Sequence, residues 1–597
     1  MQGNALMNKI IDLSKPRTMR GPDSAVGIKR TRWAHSAAAC VFMWMLAGHL
    51  GTVPVRAQTC AEPKAADFKR TVLLSSGLDH PVHLAVVPDG RVFIGEMNTG
   101  NIQIYKPGAA MPVLAGKVPT RFENEDGLLG IAAPPDFATS HFLYVLFSDP
   151  DKANRAHVLA RFTVTGDRLD MDSRTEILRF ARVAGGIYHA AGGMVFDDKG
   201  DLFFSTGDDT NPKDGPNDGF GAIYTKEPGK DAQKSAANTN DLRGKINRIH
   251  PVPAQVDGKW YTIPAGNFKE AFASMYTESE LAKVRPEIYA MGVRNAYRFT
   301  VDNKTGWVIW GEVGPDANSD IANRGRMGHD ELNVAVKPGF FGWPYCNGNQ
   351  FAYNNVDYSD AMGGPGARFD CALPVNNSPN NTGVNKLPPS QPPVVWYAGN
   401  NKSDFKMLGN GAETAMAGPM YRYDHGLVSA TKFPPQYDGR LFFWDWSRQV
   451  HKTISFKPDG KLDSIRDFPV STLRSDISAQ YGPEGALYVL QYSESGYSNT
   501  KSALVRIDYT GLRDESCIPP VSLARALPSR NSRGAERTLS ILAGFSYVDI
   551  PSGQSGFEVF SSQGRRVWTF VRAGSEGMQR VNLPSEFAGS LLRIRFL

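Results

Sequence analysis

The strongest candidates for chemistry are His189 and Asp208, which flank one short strand–turn–strand repeat. His189 precedes the repeat within residues 188–193, and Asp208 follows it within residues 205–209. Because a hairpin starts and ends at the same edge, the two side chains are predicted to face each other. A carboxylate beside an imidazole fixes its tautomer and makes it a general base near neutral pH. The alternative is a structural histidine, which is common beside glycines at the start of a strand.

A second polar cluster surrounds the next clear repeat. Arg294 and Asn295 precede that repeat, and Gly314 and Pro315 follow it. Arg294 offers a permanently charged donor for a carboxylate or a developing oxyanion. Consecutive carbonyl oxygens at a Gly-Pro step suit a hard cation such as calcium. For the Arg-Asn pair, a hydrogen-bond network that only fixes the loop is the alternative.

A third patch contains Asp330, Glu331 and Asn333. Carboxylate and amide oxygens are ligands that calcium accepts, so Asp330 and Glu331 are predicted metal ligands. Capping of a turn is the alternative role for this patch.

The elements that would position these residues are six copies of one pattern: an apolar pair, a turn with Asp or Pro and Gly, then alternating apolar residues. The copies lie at residues 86–94, 129–145, 194–204, 299–309, 435–443 and 480–490. Each copy predicts a β-hairpin. Six hairpins in succession predict an all-β fold, a six-bladed β-propeller, over residues 58–517.

The two ends of the chain differ from this body. Residues 518–534 read as a linker rich in Pro, Ser and Arg, and the strand patterns of residues 535–597 predict a small C-terminal β-sandwich, a sorting or accessory module. At the other end, residues 1–57 are predicted to be a secretory signal peptide, with basic residues before the apolar run 37–50 and a small-x-small pattern after it. A membrane anchor is the alternative, but the run is short.

Charge and cysteine content agree with export to the periplasm, the cell surface or the medium. The formal net charge of +6 resides entirely in the eight Lys/Arg and two Asp of residues 1–57, so the basic pI gives no reason to expect nucleic acid as a partner. Four cysteines remain after the signal, and they allow three pairings. Cys346–Cys371 is favoured because it closes a local loop, and Cys60–Cys517 because it would join the two ends of the ring. Free cysteines are the alternative.

The motifs resemble one known family. Residues 125–132, 189–208, 292–295, 314–315, 330–333 and 342–344 occur in the order found in the soluble glucose/sorbosone dehydrogenase family. That family uses pyrroloquinoline quinone (PQQ) and calcium on a six-bladed propeller. The resemblance implies a secreted quinoprotein dehydrogenase that oxidises the anomeric hydroxyl of an aldose to a lactone, with hydride transfer to PQQ.

The resemblance also implies roles for single residues. His189 matches the base that takes the proton from the sugar, Asp208 matches the carboxylate that orients it, and Glu125 stands where glucose-oxidising members carry a glutamine beside the substrate. Arg294 and Asn295 match the residues that hold the quinone and its reacting oxygen. The carbonyl groups of Gly314 and Pro315 match the family's ligands of the calcium ion that bridges PQQ to the protein.

The sequence departs from the family where the quinone carboxylates bind. Ser447 stands on the position of a lysine, with Arg448 one place further on, and only Arg474 can replace a pair of arginines in the next blade. Arg448 is therefore a predicted cofactor contact. With fewer cationic partners, PQQ binding is expected to be weaker, rearranged or absent.

Two other functions stay open. The propeller is alternatively a non-catalytic extracellular module that binds carbohydrate or protein and is stabilised by calcium. A hydrolase of sugar lactones is a weaker option, since no motif specifically favours it. The retained set His189, Asp208 and Arg294 favours the dehydrogenase, because a binding module needs no general base. The chain contains no CxxCH haem motif, so a separate electron acceptor is expected.

Overall fold

The computed structural model describes residues 60–517, apart from 183–187, 212–218, 358–363, 365, 401–404 and 494–500, together with six strands between 538 and 596. The predicted signal peptide and linker lie outside the described residues. No helix in these described segments is long and apolar enough to cross a membrane.

The body is built from β-strands. In chain order they are β1 (Phe68–Leu74), β2 (Pro81–Val86), β3 (Val92–Glu96), β4 (Asn101–Tyr105), β5 (Val113–Lys117), β6 (Leu128–Ala132), β7 (Phe142–Ser148), β8 (Ala156–Thr165), β9 (Arg168–Ala181), β10 (Ala191–Phe196), β11 (Leu202–Thr206), β12 (Lys245–Val256), β13 (Lys259–Thr262), β14 (Ile288–Met291), β15 (Arg298–Val301), β16 (Val308–Glu312), β17 (Asp330–Ala335), β18 (Gly339–Phe340), β19 (Cys346–Asn347), β20 (Phe351–Ala352), β21 (Val395–Tyr397), β22 (Ala415–Met420), β23 (Arg440–Asp445), β24 (Val450–Phe456), β25 (Leu462–Asp467), β26 (Asp476–Tyr481), β27 (Leu487–Gln491) and β28 (Ala503–Tyr509). The helices of the described segments are single turns: α1 (Phe137–Ser140), α2 (Phe268–Ala271), α3 (Glu278–Leu281) and six 3-10 turns at Ala65–Asp67, Pro228–Lys230, Ala273–Met275, Lys406–Leu408, Pro435–Tyr437 and Glu515–Cys517.

These strands form six sheets, which confirms the predicted propeller. Blade I is β2–β3–β4–β5, blade II is β6–β7–β8–β9, and blade III is β10–β11–β12–β14, extended by β13 and β18. Blade IV is β15–β16–β17–β21, blade V is β22–β23–β24–β25, and blade VI is β26–β27–β28–β1. A pair β19–β20 lies outside the blades.

The first strand of the body closes the ring. β1 pairs antiparallel with β28, so that Phe68 lies opposite Tyr509 and the chain's beginning completes its last blade. The disulfide Cys60–Cys517 links the flanking segments, and Cys346–Cys371 closes a local loop. Both predicted pairings are confirmed. Closure removes the exposed edge that an open sheet would leave.

The innermost strands, β2, β6, β10, β15, β22 and β26, contact one another around a central channel. They begin at one end of the ring, and the second strand of each blade ends there. We name this end the mouth; the opposite end carries the tight turns inside each hairpin. The turn of blade III ends at Gly200, whose φ of 83° lies in the left-handed region that favours glycine. Aromatic side chains such as Trp310, Trp444 and Phe204 are fully buried in the packed blades.

One predicted hairpin was placed too far along the chain. The strand expected before the turn at Asp438 is β22, which ends at Met420, and Pro435–Tyr437 form a 3-10 turn instead. Pro434 and Pro435 have no N–H group to give to a neighbouring strand, so strand pairing cannot continue there.

The C-terminal segment contains six further strands: β29 (Thr538–Leu542), β30 (Tyr547–Ile550), β31 (Gly556–Ser561), β32 (Arg566–Val571), β33 (Gln579–Asn582) and β34 (Leu591–Phe596). They form a four-stranded sheet, β29–β34–β31–β32, and a pair, β30–β33. The sandwich arrangement of these sheets stays a prediction.

Candidate functional site

His189 and Asp208 meet at the mouth end of blade III. His189 stands before β10 and Asp208 after β11, and Nδ1 of the imidazole lies 2.6 Å from Oδ1 of the carboxylate. Both side chains are buried. The pair has the contact that a carboxylate-oriented imidazole base requires.

Gly207 makes this contact sterically feasible. A Cβ atom at this position would lie 1.8 Å from the backbone oxygen of His189, so no larger residue fits between the two segments. His189 itself has a φ of 54°, which a non-glycine residue seldom adopts. The local backbone therefore holds the imidazole against the end of β11.

The Asp208 carboxylate is fixed on both oxygens. Nε1 of Trp343 donates to Oδ2 at 2.6 Å, and the backbone N and Oγ1 of Thr210 donate to Oδ1 at 3.0 and 2.9 Å. Burial by itself would raise the pKa of Asp208, but the charge and hydrogen bond of His189, with Arg294, hold it below its ordinary value. The carboxylate is thus ionised when it faces the imidazole.

Arg294 joins this group through its backbone and its side chain. Its carbonyl oxygen accepts a hydrogen bond from the N–H of Asp208 at 2.8 Å, and its guanidinium lies 5.7 Å from the centre of the Trp343 ring. Glu312 accepts from the backbone N–H groups of Arg294 and Asn295. The loop that carries Arg294 and Asn295 is therefore bound to blade III and to β16 at once.

Gly314 and Pro315 line a small cavity together with Arg294 and Glu312. Its volume is about 10 Å³, close to that of one water-sized site. Nε of Arg294 and Oδ1 of Asn295 are buried and have no hydrogen-bond partner among the described residues. Buried polar atoms without partners are rare, and here they suit a bound group.

Asp330 and Glu331 were predicted as metal ligands, and their surroundings favour the structural alternative. The oxygens of Asp330 accept from the backbone N–H groups of Gly314 and Ala415, and those of Glu331 accept from Asn333, Asn347 and Gly348. Burial raises the pKa of both groups, that of Glu331 to about 8. Across the described residues, no group of three or more His, Cys, Asp or Glu side chains is arranged to hold a metal ion.

A larger pocket of about 360 Å³ occupies the mouth. Its lining comes from blades I, II, IV, V and VI and comprises His80, Met97, Asn98, Phe122, Asn124, Glu125, Asn295, Tyr297, Val313, Thr414, Met416, Trp446, Ile477 and Tyr492. Two predicted site residues, Glu125 and Asn295, are thus brought to one space. Glu125 also reaches the neighbourhood of His189, since its Oε2 accepts from the backbone N–H of Ala190 at 3.1 Å.

Arg448 does not join this pocket, contrary to the prediction. Its guanidinium is buried over the ring of Tyr397 and donates to the carbonyl groups of Leu408, Gly409, Gly411, Ala412 and Ala398. The reason is hydrogen bonding, because carbonyl groups of the segment before β22 accept from the N–H groups of Arg448. Arg448 therefore organises a loop and has no donor directed to the mouth.

The mouth pocket suits the flat aromatic ring of a ligand such as PQQ better than it suits the carboxylate groups of that ligand. The mouth pocket is walled by Phe122, Tyr297, Trp446 and Tyr492, and no lysine or arginine is among the described residues that line it. At the family's lysine position, the Ser447 hydroxyl instead lies 2.7 Å from that of Thr414. The partnerless atoms of Arg294 and Asn295 and the carbonyl groups of Gly314 and Pro315 are donors and acceptors of the kinds that a quinone and a cation require.

Sequence reasoning gave no role to Trp343 or Thr210, although both hold Asp208. Trp343 lies 135 residues from Asp208 in the chain, so no local pattern links the two. Its position within a motif shared with the family, residues 342–344, was the available signal.

Known proteins resemble this chain over much of its length. A family model described as glucose/sorbosone dehydrogenase matches residues 78–375, a range that includes every candidate except Arg448. The chain is 25% identical over 362 residues to quinoprotein glucose dehydrogenase B of Acinetobacter calcoaceticus, which covers 56% of this chain and 67% of the relative.

A further relative and a similar solved structure come from one organism. The chain is 24% identical over 434 residues to an aldose sugar dehydrogenase of Escherichia coli (strain K12), with 71% of this chain and 90% of the relative covered. The apo-form structure of the soluble aldose sugar dehydrogenase from Escherichia coli is similar with a TM-score of 0.48 and 20% identity, covering 74% of this chain and 99% of that one.

Proposed function

The chain belongs to the glucose/sorbosone dehydrogenase family, and we propose that it is a PQQ- and calcium-dependent dehydrogenase that oxidises an aldose at its anomeric carbon. The observation that carries the proposal is the His189–Asp208 contact beside Arg294 at the mouth. A module that only binds carbohydrate has no use for an imidazole oriented in this way.

His189 is the proposed base. It takes the proton of the anomeric hydroxyl while the hydrogen on the anomeric carbon leaves as hydride and the carbon–oxygen double bond of the lactone forms. Asp208 keeps the imidazole in one orientation and stabilises the charge that the ring gains, as a buried carboxylate does for a histidine base. Trp343 and Thr210 keep Asp208 in place through its two oxygens.

Arg294, Asn295 and the carbonyl groups of Gly314 and Pro315 are proposed to hold the cofactor and calcium. Bound there, PQQ would supply the two-electron acceptor for the hydride, with calcium polarising the accepting carbonyl. Tyr297 and Trp446 offer aromatic walls on the mouth side. Glu125 is proposed to contact the sugar, since it lines the same pocket. A separate carrier then removes the electrons.

We also propose that the protein acts outside the cytoplasm, exported by residues 1–57. Its two disulfides suit an oxidising compartment. Mass determination of the secreted chain should find an N-terminus close to residue 58, and a chain retaining the apolar run would contradict the proposal.

Reconstitution tests the function. Mature protein with PQQ and calcium should reduce an artificial electron acceptor when aldoses are supplied. His189→Ala should abolish turnover, whereas His250→Ala should retain it. His250 is the matched control because it also contacts an aspartate, Asp201 at 2.8 Å, but at the other end of the same blade. Failure of the wild type to bind PQQ or to oxidise any aldose or alcohol would favour the non-catalytic binding module.

A further inference from the structure

A second cavity lies in the central channel, on the far side from the mouth. It has a volume of about 390 Å³ and is lined by the innermost strands and by the turns that follow them, among them Pro88, Pro135 and Pro483. These turns stand at the end of the ring opposite to the mouth. The cavity therefore belongs to the opposite face and shares no lining residue with the mouth pocket.

Arg298 separates the two spaces. This residue is the first of β15 in blade IV, and its guanidinium donates to the carbonyl groups of Val82 in blade I and of Ile477 in blade VI. Blade IV lies across the ring from blade I, so the side chain spans the channel. Tyr297 and Ile477 line the mouth pocket above it, whereas Arg298 lines the lower cavity.

The positive charge of Arg298 has no carboxylate partner among the described residues. Its exposed fraction is 3%, and its three described acceptors are backbone carbonyl groups, including that of Tyr297. Burial lowers its pKa to about 10, which leaves the guanidinium charged at neutral pH. An ionised group out of water is costly unless an opposite charge accompanies it.

The rest of the cavity does not supply that opposite charge. Among the described residues, its lining contains no Asp or Glu, and His83 and Ser478 each have a hydrogen to donate beside Arg298. Nδ1 of His83 accepts a hydrogen bond from the N–H of Ile131 at 3.5 Å. Burial, and to a lesser extent the charge of Arg298, lowers the pKa of His83 well below its ordinary value. A neutral ring that accepts at Nδ1 keeps its hydrogen on Nε2, as a donor. Ser478 accepts from Leu84, which leaves its hydroxyl hydrogen to donate.

We infer that the lower channel is an anion site, in which a small halide, phosphate or carboxylate ion binds against Arg298 with His83 and Ser478 as neighbouring donors. The guanidinium has five N–H groups, more than its described acceptors use. The space exceeds that of a single ion, so bound water completes its surroundings. Because Arg298 lies between the two cavities, the ion is independent of any ligand at the mouth and of the proposed dehydrogenase activity.

Crystals of the mature protein soaked in sodium bromide provide the direct test. Anomalous scattering should show a bromide ion in the channel within hydrogen-bond distance of Arg298. Bromide found only on the surface, with water alone beside Arg298, would overturn the inference.

Calorimetric titration at constant ionic strength tests it in solution and separates the ion classes. Bromide, phosphate and acetate are titrated separately, and at least one should bind with one-site saturation. Arg298→Met should weaken that binding about tenfold or more, the loss expected for a charged hydrogen-bond partner, and Arg298→Lys should restore part of it. Lys461→Met, which removes an exposed positive charge, is the control and should bind as the wild type does.

His83→Leu, which removes the neighbouring donor, keeps the test decisive if Arg298→Met does not fold. This variant should bind the ion more weakly than the wild type, with the same stoichiometry. Unchanged affinity in both folded variants, or an affinity that falls equally in Lys461→Met, would show that the ions act on the surface and not in the channel.

Discussion

Glu125 of blade II accepts a hydrogen bond from the backbone N–H of Ala190 in blade III, 3.1 Å away and next to His189. Asp126, which follows Glu125, and Asp209, which follows Asp208, are linked as well. Arg182 contacts Asp126 at 2.6 Å and Asp209 at 2.5 Å, and all three side chains are almost fully buried. One guanidinium thus ties the loop that carries Glu125 to the loop that carries Asp208.

Arg182→Met should reduce both stability and turnover. It removes one of the cations beside Asp126 and Asp209, which keep Arg121 and Arg243, so we predict a loss of about 1–3 kcal/mol in the free energy of unfolding. Because the two loops lose their link, kcat should fall more than KM changes. Urea unfolding and steady-state kinetics at a temperature where the variant is folded measure the two effects.

The control for this variant is Arg422→Met, which removes the cation beside buried Asp302 at the opposite end of the ring. It should lose stability but retain the kinetics of the wild type. If both variants have the same kinetic defect, the Arg182 link does not position the site.

Acid should destabilise the fold through Asp126. Burial by itself would raise the pKa of Asp126, but hydrogen bonds from His157 and Arg121 and the charge of Arg182 hold it well below 3.8, its ordinary value. A carboxyl group with a depressed pKa in the folded state contributes stability above its unfolded pKa and loses that contribution as pH falls further. The free energy of unfolding should therefore decline below about pH 4.

Asp126→Asn should flatten this decline, the acid limb of the stability profile, and should lower the free energy of unfolding at pH 7. Urea unfolding between pH 2 and pH 7 measures both effects. An acid limb of unchanged slope in the variant would exclude Asp126 as its source. Asp463→Asn is the control: its side chain is exposed on β25, and its loss should leave the limb unchanged.

The ring-closing disulfide should affect stability and not chemistry. Replacing Cys60 and Cys517 together by serine opens a loop of 457 residues, and removal of a native disulfide typically costs about 2–5 kcal/mol. Denaturant unfolding under oxidising conditions should show this loss, while kcat stays that of the wild type. Reductant should then destabilise the double variant only through Cys346–Cys371. A large fall in kcat with unchanged stability would contradict this assignment.

A cation restored at the mouth should strengthen cofactor binding. Ser447 contacts Thr414, which lines the mouth pocket, so Ser447→Lys would bring an ammonium group close to the space proposed for the carboxylates of PQQ. The affinity for PQQ, measured by equilibrium dialysis, should rise about tenfold, as expected for a charged hydrogen bond. Ser455→Lys, at the far end of the same blade, should leave it unchanged. Equal gains in both variants would indicate nonspecific attraction.

Much of the architecture could be predicted from the sequence because it depends on residues that are close together in the chain. The hairpins at residues 194–204 and 299–309 form from turn residues and alternating strands within a dozen positions, and the His189–Asp208 contact follows from where such a hairpin starts and ends. The Cys60–Cys517 pairing followed from the closure of the ring. Local turn chemistry and a repeated unit thus predicted both the fold and one half of the site.

The other half depends on distant packing. Arg448 stands just after the end of β23, where a cofactor contact was expected, but the carbonyl groups of residues 398, 408, 409, 411 and 412 surround its guanidinium, and no local pattern predicts those contacts. Trp343 reaches Asp208 across 135 residues. Asp330 and Glu331 read as cation ligands by composition, yet their oxygens meet N–H donors whose positions only the folded sheet defines.

The most direct test of the redox site is a single turnover without an external acceptor. Wild-type protein loaded with PQQ and calcium should change from the oxidised to the reduced quinone absorbance when an aldose is added. His189→Ala should bind PQQ equally well and keep the oxidised spectrum. Reduction at the wild-type rate in His189→Ala would contradict its role as the base, and a wild type that takes up no PQQ would contradict the account as a whole.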